Sequence, residues 1–348
     1  MKKEKELIHI FFATTDNYVK YMDVAITSLI ENANKNYNYK IVVLHNGISA
    51  KNLEILNEHN DKNFTMEFAD VENELSKVKN ILPNKLHFTL ASYYRLFIEK
   101  MYPNIDRAIY LDCDIVVPGD ISKLYFTDIG DNLFGAVNEQ NCFLTPIMTT
   151  YTIEVTGIDP HKYFNTGVLL MNLKEIRKFK LLETFVNMMI TYNFESPMVD
   201  QDYLNNICRK RVKLLPNGWN KESVPGQELE GELYIKHYAF GNKPWTTNEV
   251  EYFDLFWDYA KKSKFYDEIL AGYNAITPKD LKMEKIGIGK MMEIVDRLLV
   301  SDHTFKKLII DKEDGEQNNK NCRKNTKKVI VMGKNKRLCI KNKNKKAA

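Results

Sequence analysis

Asp112-Cys113-Asp114 sets two carboxylates two residues apart, directly after the apolar run Arg107-Ala108-Ile109-Tyr110-Leu111. Residues i and i+2 of a strand point to one side, so the two acids are expected to converge. Two hard oxygen donors in that arrangement suit Mg2+ or Mn2+, ions that often bridge a diphosphate. The pattern alone also fits a loop pair capping a turn, and it recurs at Asp200-Gln201-Asp202. Position favours the first copy, because ligands of an open α/β sheet sit beyond the carboxyl ends of its strands. His237 closes a further apolar stretch, and an imidazole beside two carboxylates suits Mn2+ better than Ca2+. Lys243 follows the turn Gly241-Asn242 and could neutralise a diphosphate as a mobile point charge.

Thr14 to Asn17 follow the first apolar run and combine hydroxyls, a carboxylate and an amide with the start of a helix. Such groups suit a nucleotide base and ribose, although Asp16 or Asn17 would serve equally as an ordinary helix cap. Asn165, in the polar turn before Val168 to Asn172, could position sugar hydroxyls. Asp200 opens a helix, either capping it or aiming inward.

The elements that must carry these residues alternate in period. Leu7 to Ala13, Tyr39 to Leu44 and Phe64 to Phe68 read as buried strands. Between them, Tyr18 to Glu31 and a helix from Ser49 to about Asn57 give a βαβαβ series, which favours a parallel sheet covered on both faces. A helix is expected over Thr89 to Met101, then strands at Arg107 to Leu111, Asn132 to Val137 and Val168 to Asn172. One long amphipathic helix is expected over Lys174 to Tyr192, a shorter one over Asp200 to Arg209 and a strand over Tyr234 to Ala239. The fold class is α/β, with a mixed, mainly parallel central sheet flanked by helices.

The chain has 348 residues, 44% hydrophobic and 28% charged, which excludes disordered, collagenous and disulfide-scaffold classes. No apolar run reaches the roughly 18 residues of a membrane span, and the charged start followed by Leu7 to Ala13 reads as leading into a first core strand rather than as a signal peptide. Five cysteines without a CxxC pair suit reduced thiols in a cytosol. The net charge of +4 hides a division: residues 317–348 hold twelve Lys/Arg and no acid, leaving residues 1–316 at about −8. The body is therefore no nucleic-acid glove, while the tail could hold a polyanion or an anionic membrane surface. Two regions are expected: residues 1–275 as the main domain, and 276–348 as an amphipathic helix, Pro278 to Val300, with a basic, partly disordered tail. The expected location is the cytoplasm, with peripheral contact at the inner face of the membrane through that tail.

Taken in order, six segments resemble glycosyltransferase family 8, the retaining sugar-nucleotide transferases of bacterial lipooligosaccharide and polysaccharide synthesis. They are Phe12-Ala13-Thr14-Thr15-Asp16-Asn17-Tyr18, Ser92-Tyr93-Tyr94-Arg95-Leu96, Tyr110-Leu111-Asp112-Cys113-Asp114, Tyr163-Phe164-Asn165-Thr166-Gly167-Val168, Asp200-Gln201-Asp202-Tyr203-Leu204-Asn205, and His237-Tyr238 through Lys243-Pro244-Trp245. The likeness runs over roughly residues 7–262. It implies a GT-A, Rossmann-like fold, with Mn2+ (or Mg2+) held by Asp112, Asp114 and His237. It places Ala13, Thr15, Asp16, Asn17, Arg95, Asp112, Cys113, Glu139, Gly241 and Lys243 around a UDP-sugar, and Asn165, Asp200 and Gln201 near the transferred sugar. Two positions depart from the pattern: Thr15 and Glu139 each stand where an Asp is expected. The activity implied is transfer of a hexose, glucose or galactose, with retention, to a glycan, glycolipid or glycoprotein acceptor. Two other readings stand beside it: a sugar nucleotidyltransferase, against which the absence of glycine before Gly47 speaks, and a non-catalytic polyanion-binding adaptor with a degenerate transferase domain.

Overall fold

The computed structural model describes residues 5–82 and 90–311. Among the described residues nine strands carry the architecture: β1 (Leu7–Thr14), β2 (Asn38–His45), β3 (Phe64–Asp70), β4 (Arg107–Leu111), β5 (Ile115–Val116), β6 (Phe134–Asn138), β7 (Phe164–Asn172), β8 (Val212–Leu214) and β9 (Lys236–His237). Seven form one sheet in the order β3-β2-β1-β4-β7-β6-β8, and β5 pairs with β9 apart from it. The β1–β2, β2–β3, β1–β4 and β6–β8 pairs are parallel, whereas β7 runs antiparallel to both β4 and β6.

Both faces of this sheet are covered, and the strands show why their apolar runs are continuous. Ile8, Ile10 and Phe12 of β1, with Ile41 and Val43 of β2, enter one core that includes Val19, Met22 and Ile26 of the helix Val19–Asn32. The intervening Phe11, Val42 and Leu44 enter the other core, beside Tyr93, Tyr94 and Phe97. A strand buried on both faces has no reason to alternate apolar with polar residues.

Several elements depart from expectation. Residues 90–101 wind as a 3-10 helix over Leu90–Phe97 and only a short α-helical turn over Ile98–Met101. Ala91 and Tyr93 to Phe97 are all buried there, so packing surrounds the segment and imposes no single 3.6-residue stripe. Thr89 lies outside the described residues. The expected helix over Lys174 to Tyr192 is two helices, Leu173–Phe179 and Leu181–Tyr192, divided at Lys180 with φ 58°. The carboxylate of Glu99 accepts from Leu182 N at 2.8 Å, supplying the second helix with a start of its own. The strand expected over Tyr234 to Ala239 contracts to Lys236–His237, paired antiparallel with Ile115–Val116.

The C-terminal helix Pro278–Leu299 opens with a capping box between Thr277 and Asp280. Its Val295 and Leu298 are buried with Met148, Tyr151 and Val155, and Phe305 further on joins the core of Tyr93 and Phe97. Residues 278–311 of the expected appendage thus pack on the body. The basic tail, with Val329 to Met332, Cys322 and Cys339, lies outside the described residues. Cys113, Cys142 and Cys208 are buried free thiols. Among the described residues, no helix is long and apolar enough to cross a membrane.

Candidate active site

A pocket of about 560 Å3 opens at the carboxyl ends of β1 and β4. Ala13, Thr15, Arg95, Asp112, Cys113, Asp114, Asn165, Asp200, Gln201, His237, Gly241 and Lys243 line it. Asp16, Asn17 and Glu139 do not. Asp16 accepts from Ser49 N at 2.8 Å and Asn52 Nδ2 at 2.7 Å, tying the first turn to the next helix, and Asn17 is exposed. Glu139 is fully buried behind the wall, where it accepts from Asn165 Nδ2 at 2.7 Å and Gln201 Nε2 at 3.1 Å.

Asp112, Asp114 and His237 each offer a ligand atom, all within 4.8 Å of one another. Their convergence does not come from strand alternation, because β4 ends at Leu111 and the two acids occupy the turn before β5. The short β5–β9 pairing sets Ile115 opposite His237, and Tyr238 N donates to Asp114 O at 2.9 Å, which brings the ring alongside. His237 Nε2 lies 3.2 Å from Asp114 Oδ1. Gly167 makes room for the group: a Cβ there would fall 2.4 Å from His237 Cε1 and 2.7 Å from Asp112 Oδ2.

Charge around the acids is closely arranged. Burial alone would raise the Asp114 carboxyl, but Lys243 (Nζ 2.5 Å from Oδ2) and His237 hold it well below the usual carboxylate range. Asp112 Oδ1 accepts from Tyr110 Oη at 2.8 Å and from Arg95 at 3.1 Å. Arg95 is buried, stacks 4.3 Å over the Tyr110 ring and donates to Thr166 O. Its Nε lies 3.3 Å from Asp200 Oδ2. That oxygen is buried without an aligned hydrogen-bond donor, an orphan acceptor in the wall of the pocket. Burial pushes Asp200 up to about 6, with Arg95 opposing and Asp112 adding to the rise. Asp202, the other acid of that pair, points away and accepts from Tyr151 at 2.7 Å and Tyr163 at 2.6 Å. Burial likewise raises the Cys113 thiol, which donates to Ala13 O and is no thiolate ligand.

Backbone strain gathers here. Val199, just before Asp200, has φ 56° and ψ −116°, and Phe240 and Asn242 flank Gly241 with φ 60° and 57°. Each such residue costs on the order of 1–3 kcal/mol and persists only where its surroundings dictate it.

The sequence reading missed several neighbours. Tyr18 and Tyr110 line the pocket, as do Gly287, Ile288, Met291 and Met292 of the C-terminal helix. Asn220 and Glu222 are buried against the site from the loop after β8. The polar stretch Asn217 to Glu222 around Trp219 was their only sequence signal.

The donor set fits a divalent cation, and it lies in the pocket at the carboxyl ends of the sheet's strands. A family model, glycosyl transferase family 8, matches residues 9–249. The chain belongs to that family and is a retaining glycosyltransferase. It is similar to general stress protein A of Bacillus subtilis, 29% identical over 286 residues, covering 76% of this chain and 96% of the relative. A lipopolysaccharide 1,2-glucosyltransferase of Escherichia coli K12 is 25% identical over 259 residues, covering 69% and 73% respectively. Among solved structures, an active-site mutant of LgtC shares the fold with TM-score 0.64 at 23% identity, covering 76% of this chain and all of that one.

Proposed function

We propose that this protein moves a hexose, glucose or galactose, from a UDP-sugar to a hydroxyl of a glycan, glycolipid or glycoprotein acceptor, in bacterial surface polysaccharide or lipopolysaccharide synthesis. The convergence of Asp112, Asp114 and His237 on one point of the pocket carries this reading. The Escherichia coli relative acts as a lipopolysaccharide glucosyltransferase, and one solved structure of similar fold is a galactosyltransferase in complex with donor and acceptor sugar analogues. The reading departs from nucleotidyl transfer because family membership and the glycine-free first turn both favour glycosyl transfer.

Mn2+, with Mg2+ as substitute, is assigned to the three ligands, where it would supply Lewis-acid charge to a diphosphate leaving group. Lys243 adds positive charge at the same place, and Arg95 holds Asp112 and Asp200 by sitting between them. Thr15 and the Tyr18 ring offer a hydroxyl and an aromatic face to the nucleoside, with Asp16 fixing their turn. Ala13, Cys113 and Gly241 are assigned to the same donor end. Asp200 and Gln201 are assigned to the sugar, and Glu139 and Asn165 hold them from behind. Retention by a front-face route fits this arrangement: the acceptor proton passes to the departing phosphate oxygen, while Asp200, paired with Arg95, stabilises charge rather than attacking.

A panel of nucleotide sugars incubated with the protein and Mn2+ tests the proposal. Release of UDP from a UDP-hexose, enhanced by an acceptor glycan, is expected. Inertness toward every UDP-hexose, or UTP formation on adding pyrophosphate, would overturn it.

A further inference from the structure

Asn220 lies entirely buried beside His237, with its Oδ1 2.9 Å from Nδ1 of the ring. Donor and acceptor roles can be traced to this contact from a group whose role is fixed. Gly167 N, a backbone donor, points at Asn165 Oδ1 at 2.7 Å, so that atom is the amide oxygen. Asn165 Nδ2 then faces two carboxyl groups, Glu139 and Glu222, at 2.7 Å each. The second neighbour of Asn165 Oδ1, at 2.9 Å, must be a donor, which makes it Nδ2 of Asn220. Oδ1 of Asn220 is left facing His237, and it can only accept. Nδ1 of the ring must therefore carry a hydrogen, which leaves Nε2, 3.2 Å from Asp114 Oδ1, as the nitrogen able to bind a cation. Asn165 meanwhile has both amide hydrogens and both oxygen lone-pair directions used within the protein, with none left for a sugar.

We propose that Asn220, held by Asn165 and through it by Glu139 and Glu222, is a positioning residue that locks His237 in the Nδ1-protonated form and presents Nε2 to the cation. The chain Gly167–Asn165–Asn220–His237 also links the metal end of the pocket to the sugar end, because Glu139 accepts from both Asn165 and Gln201. Outer partners of this kind tune metal affinity 10- to 100-fold. The inference rests on the assignment of His237 as a ligand.

Mn2+ binding to the full chain, followed by electron paramagnetic resonance without any sugar nucleotide, tests it. Asn220→Ala should weaken binding about 10- to 100-fold. Asn220→Asp keeps an acceptor for Nδ1–H but loses the donor to Asn165 Oδ1, so its affinity should recover part of the way, between Asn220→Ala and the wild type. A purely structural role would weaken folding in both variants without that recovery. Wild-type affinity in Asn220→Ala, alongside weak binding by His237→Ala, would overturn the inference and leave the ligand assignment intact. Undiminished binding by His237→Ala, or none by the wild type, would overturn both. Should Asn220→Ala fail to fold, 15N-histidine spectra of the Mg2+-loaded wild-type protein decide. Hydrogen on Nδ1 of His237 supports the lock, and hydrogen on Nε2 with a bare Nδ1 contradicts it.

Discussion

Arg95 stands between two carboxylates, and its single charge is divided between them. Asp112 receives it through an aligned hydrogen bond at 3.1 Å, whereas Asp200 receives only proximity at 3.3 Å. Burial pushes Asp200 up to about 6 despite the guanidinium. A carboxylate that must be ionised to stabilise positive charge on a sugar loses that capacity as pH falls through its pKa. Turnover at saturating Mn2+ is expected to fall on the acid side with an apparent pKa near 6. In Asp200→Asn, that acid limb should vanish and kcat should drop about 100-fold or more, as for loss of a preorganised electrostatic contact. Steady-state pH profiles of both proteins check this. An unchanged limb in the variant would remove Asp200 from the reaction.

At the scale of elements, the site depends on where short pieces meet. β7 runs antiparallel to β4, and Asp112 N donates to Gly167 O at 2.7 Å, so the glycine backbone lies against the first acid. Nothing larger than hydrogen fits at that position. Gly167→Ala should therefore lower Mn2+ affinity at least about tenfold by displacing the His237 ring, with the circular dichroism spectrum retained. Equal affinity would show that the ring does not serve the cation.

The same pairings explain what the sequence could and could not reveal. β1, β2 and β4 announced themselves because each is a continuous apolar run, and Asp112, Asp114 and His237 because acids and an imidazole are conspicuous at strand ends. The two-residue β5 and β9 carry no periodicity of their own; their pairing exists only because distant segments close over each other. Asn220 and Glu222 were illegible for a similar reason, since an amide and an acid in a loop acquire meaning only through buried partners. The break at Lys180 was hidden because the apolar spacing continues across it, and the decisive group, Glu99, lies far earlier in the chain.

Across the whole molecule, charge divides the C-terminal region into two parts. The helix Pro278–Leu299 belongs to the pocket through Gly287, Ile288, Met291 and Met292, and its removal should disable the enzyme. We propose that the twelve basic residues of 317–348 make peripheral contact with anionic lipid. Each lysine near such a surface contributes on the order of 1 kcal/mol, screened by salt. A chain ending at residue 316 should keep the thermal midpoint and UDP release of the full chain, yet lose sedimentation with phosphatidylserine vesicles. Equal sedimentation of both forms would refute the contact.

The most direct test joins metal and chemistry: UDP release from a UDP-hexose, measured in EDTA and then across a Mn2+ titration, for the wild type and Asp114→Ala. The wild type should be inert in EDTA and recover as Mn2+ is added, while the variant, folded by circular dichroism, stays at least about 100-fold slower at every concentration. Full turnover in EDTA, or a variant as fast as the wild type, would contradict a cation held by Asp112, Asp114 and His237.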